Sequence, residues 1–211
     1  MRKIFLCMAW LVVIATACHR PAFKSKWAKV TAPEKFKARF ETTKGSFEIE
    51  ATRQWSPLAV DRLYQLIKTG FYNDIALYRV IPHFVAQFGT NNDTLLNASW
   101  IKYKLPDEPV LRLNDSGTIA FARAGVNTRS TDIYINLKNN HRLDTIYYSS
   151  VRGFPCIAVV TKGMDIVQSF YSGYKEEPMQ KADSTIDAWN KYFKGNYPKL
   201  DYIIKAAIIK E

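Results

Sequence analysis

A chain of 211 residues that is 47% hydrophobic and 14% aromatic can bury a core. This rules out wholesale disorder and indicates one domain plus a tail, or at most a small second domain. The formal charge of +11 suits anionic headgroups or acidic partners, yet the basic residues are scattered and no nucleic-acid motif is found. A solvated basic surface is the expectation, with no nucleic-acid partner.

Arg2 and Lys3 precede Ile4–Ala17, an uncharged apolar run of fourteen residues. A membrane-spanning helix needs about 20 residues, so residues 1–17 read as a signal peptide. Ala15-Thr16-Ala17 leads into Cys18, which resembles a bacterial lipobox. Cys18 is therefore expected to carry lipid and to hold the mature chain on a membrane of the cell envelope, facing the periplasm. A plain secretory signal cleaved near Ala17 is the alternative. Cys7 leaves with the signal, so Cys156 has no thiol to pair with; it sits in the apolar run Phe154–Val160 as a small core residue.

Residues 18–34 read as a lipid-anchored tether containing Pro21 and Pro33, and 35–211 as the folded domain. Phe36, Ala38 and Phe40 alternate with Lys37, Arg39 and Glu41, the period of a half-buried strand. Lys44-Gly45 turns into a second strand through Phe47 and Ile49, making 35–51 a hairpin. Ser56-Pro57 is a cap residue followed by proline at the first helical position. Leu63, Leu66 and Ile67 continue the helix, and Gly70 stops it. Short apolar strands follow at 76–81 and 84–88. Residues 89–109 read as loop, with turn chemistry at Asn91-Asn92-Asp93. Strands at 118–122, 132–137 and 156–161, a helix at 164–171 and a last strand at Tyr202–Lys210 complete the pattern. Residues 172–199 are polar, weakly patterned and read as an insertion. Many short strands with two helices indicate a β-barrel or sandwich rather than a βαβ fold.

Familiar catalytic signatures are missing. His19, His83 and His141 lack the spacing of a helical metal site, and no serine elbow, P-loop or dinucleotide glycine pattern occurs. No metal or cofactor is implied. One segment differs, Leu77 through Gly89, which sets Arg79 amid apolar strand residues and Gln87 eight positions on. By itself this fits an outward-facing pair on half-buried strands.

Arg79, Val80, Ile81, Phe84, Val85, Gln87 and Gly89 match the signature of the cyclophilin peptidyl-prolyl isomerases, with Leu77 and Tyr78 in place of its usual Phe-His. The resemblance extends to Gly70-Phe71-Tyr72, to Ile119–Ile135 and to Val160–Val167. It implies a mainly β fold, a closed eight-stranded antiparallel barrel with two capping helices. It implies cis/trans isomerisation of X-Pro bonds in proline-containing polypeptides, without a cofactor and by a monomer. Arg79 takes the family's catalytic arginine position and Gln87 that of the glutamine that orients it. Phe84, Val85, Ala122, Tyr134, Leu143 and Phe154 take the positions of the substrate-binding pocket. Departures are Tyr134 for phenylalanine, Phe154 for histidine with a longer approach from Leu143, and Asp132 and Arg123 for a glutamine and an asparagine. Arg142 aligns with a rim tryptophan. Three readings follow: an isomerase assisting the folding of exported proteins, a catalytically weak proline-peptide-binding module, and a purely structural lipoprotein.

Overall fold

The computed structural model describes residues 23–182, 186 and 188–211; the apolar run Ile4–Ala17 and Cys18 lie outside the described residues. The alternation at 35–51 produces the antiparallel strands β1 (Lys35–Thr42) and β2 (Gly45–Thr52). Their alternate side chains, Phe36, Ala38, Phe40, Phe47, Ile49 and Ala51, are buried. Phe40 opposes Phe47 in register and the two rings stack at 4.9 Å. Burying each of the Phe and Ile side chains contributes roughly 1.5–3 kcal/mol.

Helix α1 (Pro57–Lys68) begins at the expected proline, but Ser56 does not cap it. Glu108 does. Its Oε1 accepts the Leu58 N–H at 2.9 Å and its Oε2 that of Ala59 at 3.2 Å. A carboxylate here satisfies orphan donors and complements the positive helix end. Ser56 Oγ donates to the same carboxylate, and so does the fully buried Arg129, at 3.0 Å. The start of the helix was written locally; its cap arrives from distant sequence.

The chain continues through β3 (Ile75–Ala76), β4 (Arg79–Val80), β5 (Val85–Phe88), α2 (Thr94–Ile101), β6 (Thr118–Phe121) and β7 (Ile133–Asn136). Then come α3 (Arg142–Thr145), the small hairpin β8 (Tyr147–Tyr148) and β9 (Val151–Arg152), β10 (Cys156–Lys162), α4 (Met164–Gln168), α5 (Glu177–Gln180), α6 (Trp189–Asn196) and β11 (Tyr202–Lys210). Nine strands form one curled antiparallel sheet in the order β3-β11-β1-β2-β10-β6-β7-β5-β4. Helix α1 packs against β11 and β10, and α4 against β2.

The expected closed eight-stranded barrel with two capping helices is corrected on both counts. The hydrogen-bond order is open, because the stretch read as one strand at 76–81 divides. Ile75-Ala76 pairs with β11 and Arg79-Val80 with β5. The chain changes partner at Leu77-Tyr78, where the Leu77 N–H bonds the Asp201 carbonyl at 2.9 Å. Helices are also more numerous. Asp93, read as turn chemistry, caps α2 by accepting the Leu96 N–H at 3.0 Å, inside the stretch read as loop. The 172–199 insertion carries α5 and α6.

The segment read as a tether is docked from Phe23 onward. The Phe23 ring lies 5.1 Å from Trp100 and 5.4 Å from Tyr103, and the Ala32 N–H bonds Asp61 Oδ1 at 2.9 Å. No described helix is long and apolar enough to cross a membrane.

Candidate functional site

Strand register assembles the site. Arg79 of β4 lies opposite Gln87 of β5, Gln87 opposite Tyr134 of β7, and Tyr134 opposite Ala120 of β6. Successive strand residues face opposite sides of a sheet. Val80, Ala86, Phe88, Ile133 and Ile135 therefore enter the main core, which leaves Arg79, Val85, Gln87 and Tyr134 on the other face. There Val85, Ala120 and Tyr134 form a buried cluster with Phe84, Ala122, Leu143 and Phe154 against it. All six residues assigned to the pocket meet in one place. Ala120 joins them; as it shares a strand face with Ala122, the alternation at 118–122 carried its signal. A cavity of about 640 Å³ opens over this cluster and over Arg79 and Gln87.

Arg79 is held at two points. Nη1 donates to Gln87 Oε1 at 3.0 Å and Nη2 to Glu176 Oε1 at 2.8 Å, while the guanidinium lies 5.5 Å from the Phe84 ring centroid. Its Nε–H is buried without an acceptor among the described residues. Gln87 is fixed in turn: Nε2 donates to the Tyr78 hydroxyl at 3.1 Å, and that hydroxyl donates to Asp132 Oδ1 at 2.6 Å. Burial, reinforced by the Asp132 charge, pushes Tyr78 well above its ordinary 10.0, so it remains a donor at neutral pH. Burial raises the Asp132 carboxyl above its ordinary 3.8, against the lowering effect of the bonds from Tyr78 and Thr90. Tyr78 and Asp132, noted in the sequence only as departures from a pattern, thus form one chain of hydrogen bonds ending on Arg79.

Gly89 makes that chain possible. It sits at φ +148°, and a Cβ there would collide with the Asp132 Cα and the Thr131 carbonyl oxygen. Only glycine lets the end of β5 approach the segment that carries Asp132.

On the opposite side the pocket floor is tied down by Asn114. Its Oδ1 accepts the Tyr134 hydroxyl at 3.1 Å, and its Nδ2 donates to Asp144 Oδ1 at 2.8 Å and to the Phe154 carbonyl at 2.9 Å. The hydroxyl that Tyr134 adds is therefore occupied. Arg123 donates to the Val151 carbonyl at 2.9 Å and lies 4.2 Å from the Phe154 ring centroid. Burial, the largest influence on this guanidinium, lowers its pKa. The longer approach from Leu143 to Phe154 is the β8–β9 hairpin, closed where the Phe154 N–H bonds the Leu143 carbonyl at 2.8 Å. Arg142 is exposed and does not line the cavity; Ile146 and Tyr148 do.

The insertion supplies a wall that sequence reading missed. Met179, Ala182, Trp189 and Phe193 line the same cavity. Phe193 stacks on Tyr78 with centroids 6.1 Å apart, and Asn190 Nδ2 donates to the Asp74 carbonyl at 2.8 Å. The only signal in the sequence was Trp189, Tyr192 and Phe193 at helical spacing within a polar stretch.

Other candidates stay apart from the site. Cys156 is buried, its thiol pushed up to about 12 by burial and its Sγ 3.4 Å from the Leu113 carbonyl. His83 and His141 are exposed, His141 against Asp115 at 2.8 Å. Among the described residues no group of three or more His, Cys, Asp or Glu is placed to hold a metal ion.

Comparison with known proteins agrees with this geometry. The family model for cyclophilin type peptidyl-prolyl cis-trans isomerases matches residues 37–190. A peptidyl-prolyl cis-trans isomerase of Schizosaccharomyces pombe is 30% identical over 146 residues, 66% of this chain and 92% of that one. One from Acinetobacter baylyi is 30% identical over 131 residues, 60% of this chain and 67% of the relative. The crystal structure of a Cryptosporidium parvum cyclophilin type isomerase superimposes with a TM-score of 0.60 over 84% of this chain and 99% of that one, at 17% identity. The same parasite protein has been crystallised in the presence of the dipeptide Ala-Pro. A family model matched over residues 37–190, with relatives of that activity, means that the chain belongs to the cyclophilin-type peptidyl-prolyl cis-trans isomerases.

Proposed function

We propose that this isomerase acts on exported proteins at the cell envelope, with Arg79 as the catalytic donor, Gln87 as its support and the Phe84–Phe154 cluster as the proline socket. The observation that carries the site assignment is the Arg79–Gln87 pair at 3.0 Å beside that apolar cluster. Amide resonance gives X-Pro rotation a barrier of about 18–20 kcal/mol. In the twisted state the prolyl nitrogen becomes pyramidal and regains a lone pair, which an Arg79 N–H accommodates. Such a bond stabilises a feature absent from both planar ground states. The socket holds the ring, no proton moves and no redox or group transfer is involved.

Peptides with proline as the ligand class are supported by the relative crystallised with Ala-Pro. The lipid-anchored, periplasm-facing placement rests on Ile4–Ala17 and Ala15-Thr16-Ala17-Cys18. A chain held there meets exported polypeptides whose slow X-Pro isomerisation limits folding.

A prolyl-peptide isomerisation assay tests the assignment. Arg79→Ala lowers kcat/KM by about 10²–10³, the scale of a lost transition-state donor, with the fold intact by circular dichroism. Wild-type turnover in that variant refutes it. Metabolic lipid labelling tests the anchor: label enters wild type and not Cys18→Ser, and equal label in both refutes it. The binding-module reading is favoured by one observation, that Arg79 already has an ion-pair partner in Glu176. It predicts peptide binding with turnover close to the uncatalysed rate.

A further inference from the structure

The insertion places an acidic side chain on the arginine at the heart of the groove. Glu176 precedes α5, and its Oε1 receives Arg79 Nη2 at 2.8 Å. The carboxylate is itself positioned, since Oε2 accepts from Gln180 Nε2 at 3.1 Å. The segment beneath it is anchored by aromatic contacts: Tyr174 lies 5.1 Å from both Tyr171 and Tyr197. Glu176 is thus a placed group, presented to Arg79 from a part of the chain 97 residues away.

Charge in the groove gives this contact a consequence. The ionisable side chains lining the cavity include two arginines, Arg79 and Arg123. Asp132 also lines it, its carboxylate accepting the Tyr78 hydroxyl, so among the described lining residues two guanidiniums face one carboxylate. Without Glu176 the groove would present a positive field to an incoming peptide and select acidic neighbours of the proline. With Glu176 on Arg79 that field is offset at the point where the peptide must bind.

The pair is also displaceable. Arg79 keeps 16% of its side-chain surface exposed and Glu176 39%, so water screens the attraction. A peptide that takes over the Arg79 donor leaves Glu176 at the groove edge as a free carboxylate. A cationic side chain beside the proline compensates it; an anionic one meets repulsion.

We propose that Glu176 is a specificity-determining residue of this isomerase, which turns the groove from acidic X-Pro peptides toward peptides with Lys or Arg next to the proline. The proposal rests on the isomerase reading of the Arg79 site and assigns that site its substrate class.

The test uses the full-length protein and three matched peptides, Ala-Xaa-Pro-Phe with Xaa as Lys, Ala or Glu. Isomerisation kinetics and calorimetric binding are measured for wild type, Glu176→Gln and Glu176→Lys. Wild type should favour the Lys peptide over the Glu peptide by about 2–5-fold, the scale of one screened ion pair. Glu176→Gln should erase or invert that order, and Glu176→Lys should favour the Glu peptide. The differences should shrink in high salt. An identical order of peptides in all three proteins overturns the proposal. So does a loss of turnover in Glu176→Gln that is uniform across the peptides and as deep as in Arg79→Ala, since Glu176 would then hold Arg79 in working geometry. Charge-ordered binding without turnover in any protein overturns the isomerase reading and leaves Glu176 as the selector. Neither binding nor turnover overturns both.

Discussion

Removing one oxygen from Tyr78 probes the support behind Arg79 while leaving its ring in the groove wall. Tyr78→Phe keeps the ring that stacks on Phe193, 6.1 Å away and tilted by 11°. It deletes the hydroxyl that donates to Asp132 Oδ1 at 2.6 Å and accepts from Gln87 Nε2 at 3.1 Å. A hydrogen bond to a charged group is worth about 1.5–3 kcal/mol. For a chain of this size, about 2–4 °C of melting temperature per kcal/mol makes the loss roughly 3–12 °C at neutral pH.

The loss depends on pH with a defined sign. Burial lifts the Asp132 carboxyl above 3.8 in the folded state, so the folded chain binds this proton more tightly than the unfolded one. Stability from this group therefore falls as pH rises from 3.8 through the raised folded value, and is level above it. The Tyr78 bond opposes that rise. Without it the folded value climbs further and the penalty at pH 8 grows, while at pH 4.5 a larger share of Asp132 is protonated and the difference narrows. Activity falls too, because Gln87 loses the partner that orients its amide toward Arg79. The expected drop in kcat/KM is about tenfold, the scale of a slightly misplaced catalytic group, and smaller than that of Arg79→Ala. Melting curves at pH 4.5 and pH 8, with the isomerisation assay, decide it. Equal melting losses at both pH values, or undiminished turnover, refute the support role.

Two further substitutions test the framework of the groove. Glu108→Ala takes the nearer of two carboxylates from the buried Arg129, leaving Asp107 at 3.9 Å, and uncaps α1; breaking a buried pair costs up to about 3–5 kcal/mol; urea denaturation should show a drop in midpoint of matching size, and a change under about 1 kcal/mol would mean Asp107 or water replaces the lost carboxylate. Gly89→Ala forces β5 away from the Asp132 backbone, so isomerase activity should fall at least as far as in Tyr78→Phe, and a fully active Gly89→Ala would show that the approach is not required.

What the sequence disclosed and what it hid divide along one physical line. Strands β1 and β2 were legible because alternation is local, and β11 because it is rich in isoleucine. The Arg79–Gln87 pair stood out only through its resemblance to a family signature; the register that joins the two across a tight hairpin is seen in the fold. Helix α2 was not. Leu95 is exposed while Trp100 is buried, so its apolar residues do not gather on one face, and Asp93 wears the composition of a turn while serving as its cap. The closed barrel failed for the related reason that a change of strand partner at Leu77-Tyr78 is marked by no glycine, proline or other break in the sequence.

The insertion shows where such reading ends and what lies beyond it. Polar composition at 172–199 suggested an insertion with no part in the site, yet Trp189 and Phe193 line the cavity because Tyr78 and Ala76, far away in sequence, share their aromatic cluster. Once α6 is seated there, the chain entering it must pass β4, and Glu176 comes within 2.8 Å of Arg79. No spacing rule links residues so far apart; the link is made by packing. The Arg79–Gln87 part of the groove lies on strands whose register is written locally, while the part proposed here to set selectivity lies on a segment positioned only by the finished fold. Substitutions in the Trp189–Phe193 cluster should therefore shift peptide preference through Glu176 even where they leave the Arg79–Gln87 geometry untouched.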